Sequence, residues 1–162
     1  SGLDLINQGK DNVIVSRTFS KVHGMAGMRM GYGITTIKTA NKITPFAAGF
    51  NLSAAGIAAA SATLDDKAFY KKSIEYNRLS KTILVNTLNE LELDYIPSDT
   101  NFVLHRISAP LADYTDHMQR NGVRVGRKMT LDDRWNRTSL GTPDEMKIFT
   151  QTLMAFRQNG WV

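Results

Sequence analysis

The chain has 162 residues, with 42% apolar and 22% charged side chains, and it carries a formal charge of +5. Those values fit a folded globular protein with a sizeable core and exclude a disordered or membrane-spanning chain. With no cysteine, a disulfide framework and a zinc–cysteine site are excluded too, and a reducing, cytoplasmic setting is expected.

In chain order, Asp4 to Gln8 reads as the end of a helix, stopped by Gly9-Lys10-Asp11. Asn12 to Ser16 is a β-branched apolar run and predicts a buried strand that delivers the chain to Thr18, Ser20 and Lys21. Met30 to Thr35 predicts a second strand, and Ile37 to Ile43 a short helix broken before Pro45. Phe50-Asn51-Leu52-Ser53 reads as a loop feeding a small-residue helix through Leu64. Asp65-Asp66 then starts a long helix whose stripe of Phe69, Ile74, Leu79, Ile83, Leu84, Leu88 and Leu91 is expected in the core.

Further on, Leu93 to Ile96 and Phe102 to Ile107 predict strands joined by a polar turn. Pro110 to Asn121 predicts a helix stopped by Gly122. Val123 to Val125 and Thr138 to Leu140 read as short strands. Pro143 to Asn159 reads as a closing helix with Thr142 as its N-cap. The expected class is therefore α/β: a piece of a larger α/β domain over 1–65, followed by a compact α+β domain over 66–162.

The densest chemistry lies between Thr18 and Tyr32. Thr18 and Ser20 precede Lys21, and Gly24, Gly27 and Gly31 surround Arg29. A lysine amine is a nucleophile for an aldehyde. Two hydroxyls and a guanidinium suit a phosphate dianion, and glycines allow the backbone a close approach. The parts together describe a lysine that bonds to a phosphorylated aldehyde. His23, His105 and His117 show no ligand spacing, so no metal is expected. Ser20 and Ser53 lack a Gly-x-Ser-x-Gly elbow, which removes a hydrolase.

The stretch from Thr18 to Tyr32 resembles the lysine motif of the fold type I pyridoxal-phosphate aminotransferases, in its histidinol-phosphate aminotransferase-like branch. Asn136-Arg137-Thr138-Ser139-Leu140-Gly141-Thr142 resembles that family's Arg-x-Ser-x-Gly-Thr segment. The resemblance implies that Lys21 forms the Schiff base with pyridoxal 5′-phosphate, and that Thr18, Ser20 and Arg29 hold its phosphate. It implies that Arg137 binds the substrate carboxylate as a bidentate fork. Asn51 falls in a loop near the family's subunit boundary. Arg127 falls near its second substrate-facing arginine, where an ordinary solvated arginine is an equal alternative.

The implied fold is the C-terminal part of the large cofactor-binding domain followed by the small domain. The family's phosphate loop, ring-stacking aromatic and pyridine-nitrogen aspartate have no counterpart here. The resemblance therefore implies a C-terminal portion of an aminotransferase, inactive alone, from a family that works as a homodimer. Its partners are an amino acid and a 2-oxo acid, with no nucleic acid and no membrane. A decarboxylase on the same scaffold and a non-catalytic sensor module are the rival readings. Without the rest of the large sheet, the Val13 to Val15 strand and the Ala54 to Ala62 helix are expected to expose apolar faces, to be covered by self-association or by another chain.

Overall fold

The computed structural model describes residues 1–125 and 132–160. It mixes helices with two antiparallel sheets and divides into two compact units, Ser1–Ser73 and Ile74–Val162. No helix among the described residues is long and apolar enough to cross a membrane.

In the first unit, α1 (Gly2–Asn7) leads to β1 (Val15–Thr18), which pairs with β2 (Gly31–Ile34) from Val15↔Ile34 to Thr18↔Gly31. A Cβ on Gly31 would stand 2.8 Å from the Arg17 carbonyl oxygen, so only glycine lets the two strands close there. The helix α2 (Ile37–Ile43) is capped by Thr36, and Pro45 turns the chain through a short 3-10 turn. Ser53 then caps α3 (Ala54–Asp65), accepting the Gly56 N–H at 3.0 Å.

The core of this unit is small: Phe19, Met30 and Ala60, with Met25 against them. Gly56 makes it possible, because a Cβ there would lie 2.8 Å from Met30 Sδ. The strand expected over 12–16 starts three residues later, and it is exposed rather than buried. Among the described residues its sheet has only β2 as a second strand, so little covers its faces. Ile37, Phe46 and Phe50 stand almost wholly in solvent.

The helix α4 (Lys67–Glu90) begins where Asp66 accepts the Phe69 N–H at 2.9 Å. Its apolar stripe is core only in its second half. Leu84 and Leu88 are buried, as is Leu91 just beyond the helix, while Phe69, Ile74 and Leu79 are exposed. In the second unit β3 (Tyr95–Ile96), β4 (Phe102–Arg106) and β5 (Trp135–Ser139) form an antiparallel sheet in that order. The helices α5 (Leu111–Arg120) and α6 (Pro143–Gln158) complete it.

Val103, Ile107, Tyr114, Met118, Phe149, Leu153 and Phe156 join the leucines of α4 in one cluster. The expected strand at Val123 to Val125 is absent. The Val123 N–H donates to Met118 O at 2.9 Å, closing α5 instead of entering a ladder. Val123 and Val125 still pack on the cluster.

Candidate functional site

β1 ends at Thr18, and the chain turns immediately. Thr18 Oγ1–H donates to Ser20 Oγ at 2.9 Å, and the Ser20 N–H donates back to Thr18 Oγ1 at 3.0 Å. This reciprocal pair fixes two hydroxyls side by side directly before Lys21. Lys21 is exposed, and its carbonyl accepts the Gly24 N–H at 2.9 Å, the first turn of the loop. Phe19 between the hydroxyls is buried, and its N–H donates to Met30 O at 3.1 Å.

That last bond matters for Arg29, the residue before Met30. The loop leaves β1 at the hydroxyl pair and returns to β2 beside Phe19, so residues eleven positions apart in the sequence become spatial neighbours. Arg29 ends a short 3-10 turn in the left-handed region, at φ 56°. Its Nη1 donates to Ala26 O at 2.8 Å, folding the guanidinium back on its own loop. No hydrogen bond joins it to Thr18 or Ser20 among the described residues. A guanidinium carries five N–H donors, so this one bond leaves others free for an anion. The donor set of two hydroxyls, one guanidinium and one amine fits a phosphorylated aldehyde such as pyridoxal phosphate.

His23 is a packing residue. Its Nδ1 lies 3.2 Å from Thr63 Oγ1, and its ring sits between those of Phe19 and Tyr70 at 5.1 and 5.7 Å. Asn51 is exposed on the loop before the Ser53 cap.

In the second unit, Arg137 lies at the middle of β5 opposite Leu104. Its Cζ is 3.9 Å from the centroid of the Phe102 ring, a stacking that holds the guanidinium flat. Arg137 lines a cleft of about 510 Å3 together with Arg124, Val125, Ser139, Glu145 and Ile148. Arg137 and Arg124 make no ion pair among the described residues. Glu145 is engaged elsewhere: its Oε2 accepts the Thr142 N–H at 2.7 Å and the Thr142 hydroxyl at 3.0 Å. The cleft thus presents two guanidiniums whose neighbouring carboxylate is held by a helix cap.

Arg127, a candidate from the sequence, lies outside the described residues. Arg124 was not singled out by the sequence, although it is the arginine that shares the cleft with Arg137. The alternation Val123-Arg124-Val125 carried the signal, since two packed valines turn the residue between them the other way.

A second group also escaped the sequence. His105, Asn136 and Thr138 are buried on the face of the β4–β5 pair opposite Arg137. His105 Nε2 lies 3.0 Å from Thr138 Oγ1 and 3.1 Å from Asn136 Nδ2, and Nδ1 lies 3.0 Å from Arg106 O. The tautomer assigned from these partners donates Nδ1–H to the carbonyl and leaves Nε2 as an acceptor. Burial pushes the His105 pKa down to about 4 against the hydrogen bond to Arg106 O, so the ring is neutral at pH 7.

Residues 4–153 match the family described as aminotransferase class I and II. A histidinol-phosphate aminotransferase of Symbiobacterium thermophilum is 34% identical over 150 residues, which are 91% of this chain and 41% of that protein. A solved structure from Erwinia carotovora atroseptica, provisionally named a histidinol-phosphate aminotransferase, superposes with a TM-score of 0.90 at 41% identity, over 98% of this chain and 46% of that one. A histidinol-phosphate aminotransferase from Sinorhizobium meliloti, solved with pyridoxal-5′-phosphate, gives a TM-score of 0.74 at 28% identity, over 91% and 42%. The chain spans about 40% of the length of the curated relatives it matches.

Proposed function

The chain belongs to the class I and II aminotransferases, and from that membership we propose that it supplies the lysine, the phosphate cradle and the carboxylate-binding arginine of a pyridoxal-phosphate-dependent aminotransferase. The reaction moves an amino group between an amino acid, or an amine like histidinol phosphate, and a 2-oxo acid. One observation carries the reading: the hydroxyl pair of Thr18 and Ser20, fixed at a strand end directly before Lys21.

Pyridoxal phosphate, when bound, supplies the electron sink that lets a bond at the substrate α-carbon break. The chain's own residues do the rest. Ser20 Oγ–H, and Thr18 Oγ1–H once it turns from Ser20, would give hydroxyl donors to the phosphate, and Arg29 would give it charge. Lys21 supplies the amine that bonds the aldehyde; once released, the same Nζ takes and returns the α-proton. Arg137 grips the substrate carboxylate through two parallel N–H donors, with Phe102 limiting its rotation. Arg124, and Arg127 further along, add positive charge for the substrate's anionic end, and Asn51 is an edge residue of the site.

The proposal places residues 1–65 in the large cofactor domain and 66–162 in the small domain, in a cytoplasmic homodimer. The exposed Phe46 and Phe50 support a chain that works against another protein surface. Reduction with borohydride in the presence of pyridoxal phosphate, followed by peptide mapping, tests the reading. Label confined to Lys21, and absent from Lys21→Ala, is the expected result. Label scattered over the surface lysines would overturn the claim that this chain builds the cradle.

A further inference from the structure

The residues behind Arg137 carry an inference that the cofactor chemistry does not use, and it rests on the reading that Arg137 is the carboxylate ligand. In a sheet the side chains alternate, so a one-residue slip of β5 would turn Arg137 inward and Asn136 outward. Burial of a guanidinium is costly enough to exclude it. A two-residue slip is different. It keeps every side chain on its proper face, so the apolar pattern does not resist it, and it would carry Arg137 about 7 Å along β4.

What resists it is polar. In the observed register His105 stands opposite Asn136, and Val103 opposite Thr138. Asn136 Nδ2 donates both to His105 Nε2 and to Thr138 Oγ1, the latter at 2.7 Å. A slip of two in either direction sets Asn136 opposite Val103 or Ile107, separating the amide from the imidazole inside the core. Asn136 Oδ1 already lacks a donor among the described residues, so the two Nδ2 bonds are the ones a slip would put at risk. Arg137 meets Phe102 diagonally, two positions along β4 from its direct partner Leu104, which makes the stack a register-dependent contact.

We propose that His105 is a positioning residue for Arg137: its buried hydrogen bonds with Asn136 and Thr138 fix the β4–β5 register and so hold the guanidinium on Phe102 at the cleft. The group touches no ligand and acts through the strand. Buried polar groups that choose among registers are a known use of such costly contacts.

The test is nuclear magnetic resonance on the whole chain, which reads Arg137 without any ligand. Wild type is expected to show a cross-strand contact between Leu104 and Arg137 and one set of Arg137 side-chain signals shifted upfield by the Phe102 ring. His105→Leu is expected to lose that shift or to split the signals into more than one set. His105→Gln, which keeps an acceptor for Asn136, is expected to restore a single shifted set. Leu88→Ala, a core truncation on α4 that leaves the three polar partners in place, is expected to lower stability and leave the signals alone.

If His105→Leu does not fold, the double variant His105→Leu/Asn136→Leu strands no amide and gives the same reading. A single native set of Arg137 signals in the folded leucine variant overturns the proposal. Loss of fold in both variants overturns it as well, in favour of a purely structural role. The reading beneath it is judged separately: unchanged binding of a 2-oxo acid by Arg137→Met would remove the carboxylate role and leave the register result standing.

Discussion

His105 shows how one buried side chain ties acidity to stability. An unfolded histidine takes a proton near pH 6.5, whereas burial holds this one down to about 4. Between those values the unfolded chain binds more protons than the folded one. Stability is therefore full above pH 6.5 and falls as the pH drops toward 4, by about 3 kcal/mol at the end of that window. Urea midpoints at successive pH values, compared with His105→Gln, isolate this contribution from that of the carboxylates. A wild-type stability that does not fall relative to His105→Gln on acidification would mean that the ring is hydrated in solution. The same scale holds Lys21, whose proposed role could be read because the residues that would serve it lie in one contiguous stretch. His105 and Arg124 were not legible, because their meaning depends on what stands across a strand or beside a cleft.

Among the elements, the caps decided most of what could be read ahead of the structure. Ser53 and Thr142 both accept the N–H three residues on, and both helices start where the sequence places them. The α6 cap is a full capping box, with Glu145 Oε2 returning to the Thr142 N–H. Thr142→Ala is expected to cost about 1 kcal/mol, read as a lower denaturant midpoint with an unchanged slope. Glu145 keeps its bond to the Thr142 N–H in that variant, because the substitution leaves the backbone donor in place. Strands were read less well. β1 was expected three residues too early, and Val123 to Val125 was expected as a strand although α5 takes the first of its N–H groups. A short apolar run records that a segment packs, and its hydrogen-bond partner is decided elsewhere. The α4 stripe has the same lesson: its period is helical throughout, but only Leu84, Leu88 and their neighbours find cover.

At the scale of the whole molecule, the two units are unequally endowed. The second has an extended core, while the first rests on Phe19, Met30 and Ala60 and leaves Ile37, Phe46 and Phe50 in water. Amide exchange should therefore be faster across Ser1–Ser73 than across the β4–β5 pair. Exposed aromatic and aliphatic surface of this kind drives association. Sedimentation should show mass rising with concentration, and Phe46→Ser with Phe50→Ser should reduce that rise. A monomer at all concentrations would show that these side chains are content in solvent.

The contact of Met30 with Gly56 gives the first unit a chemical weakness. Met30 Sδ sits where not even a methyl group could be added to Gly56. Sulfoxide formation would place a polar oxygen on that sulfur, inside the small core it shares with Phe19 and Ala60. Met28, two residues earlier, is exposed and offers an internal reference. Under dilute peroxide Met28 is expected to react faster than the buried Met30. An oxidised Met30 would carry a polar group into the core, so the ratio of the two sulfoxides records how often that core has been open to the oxidant.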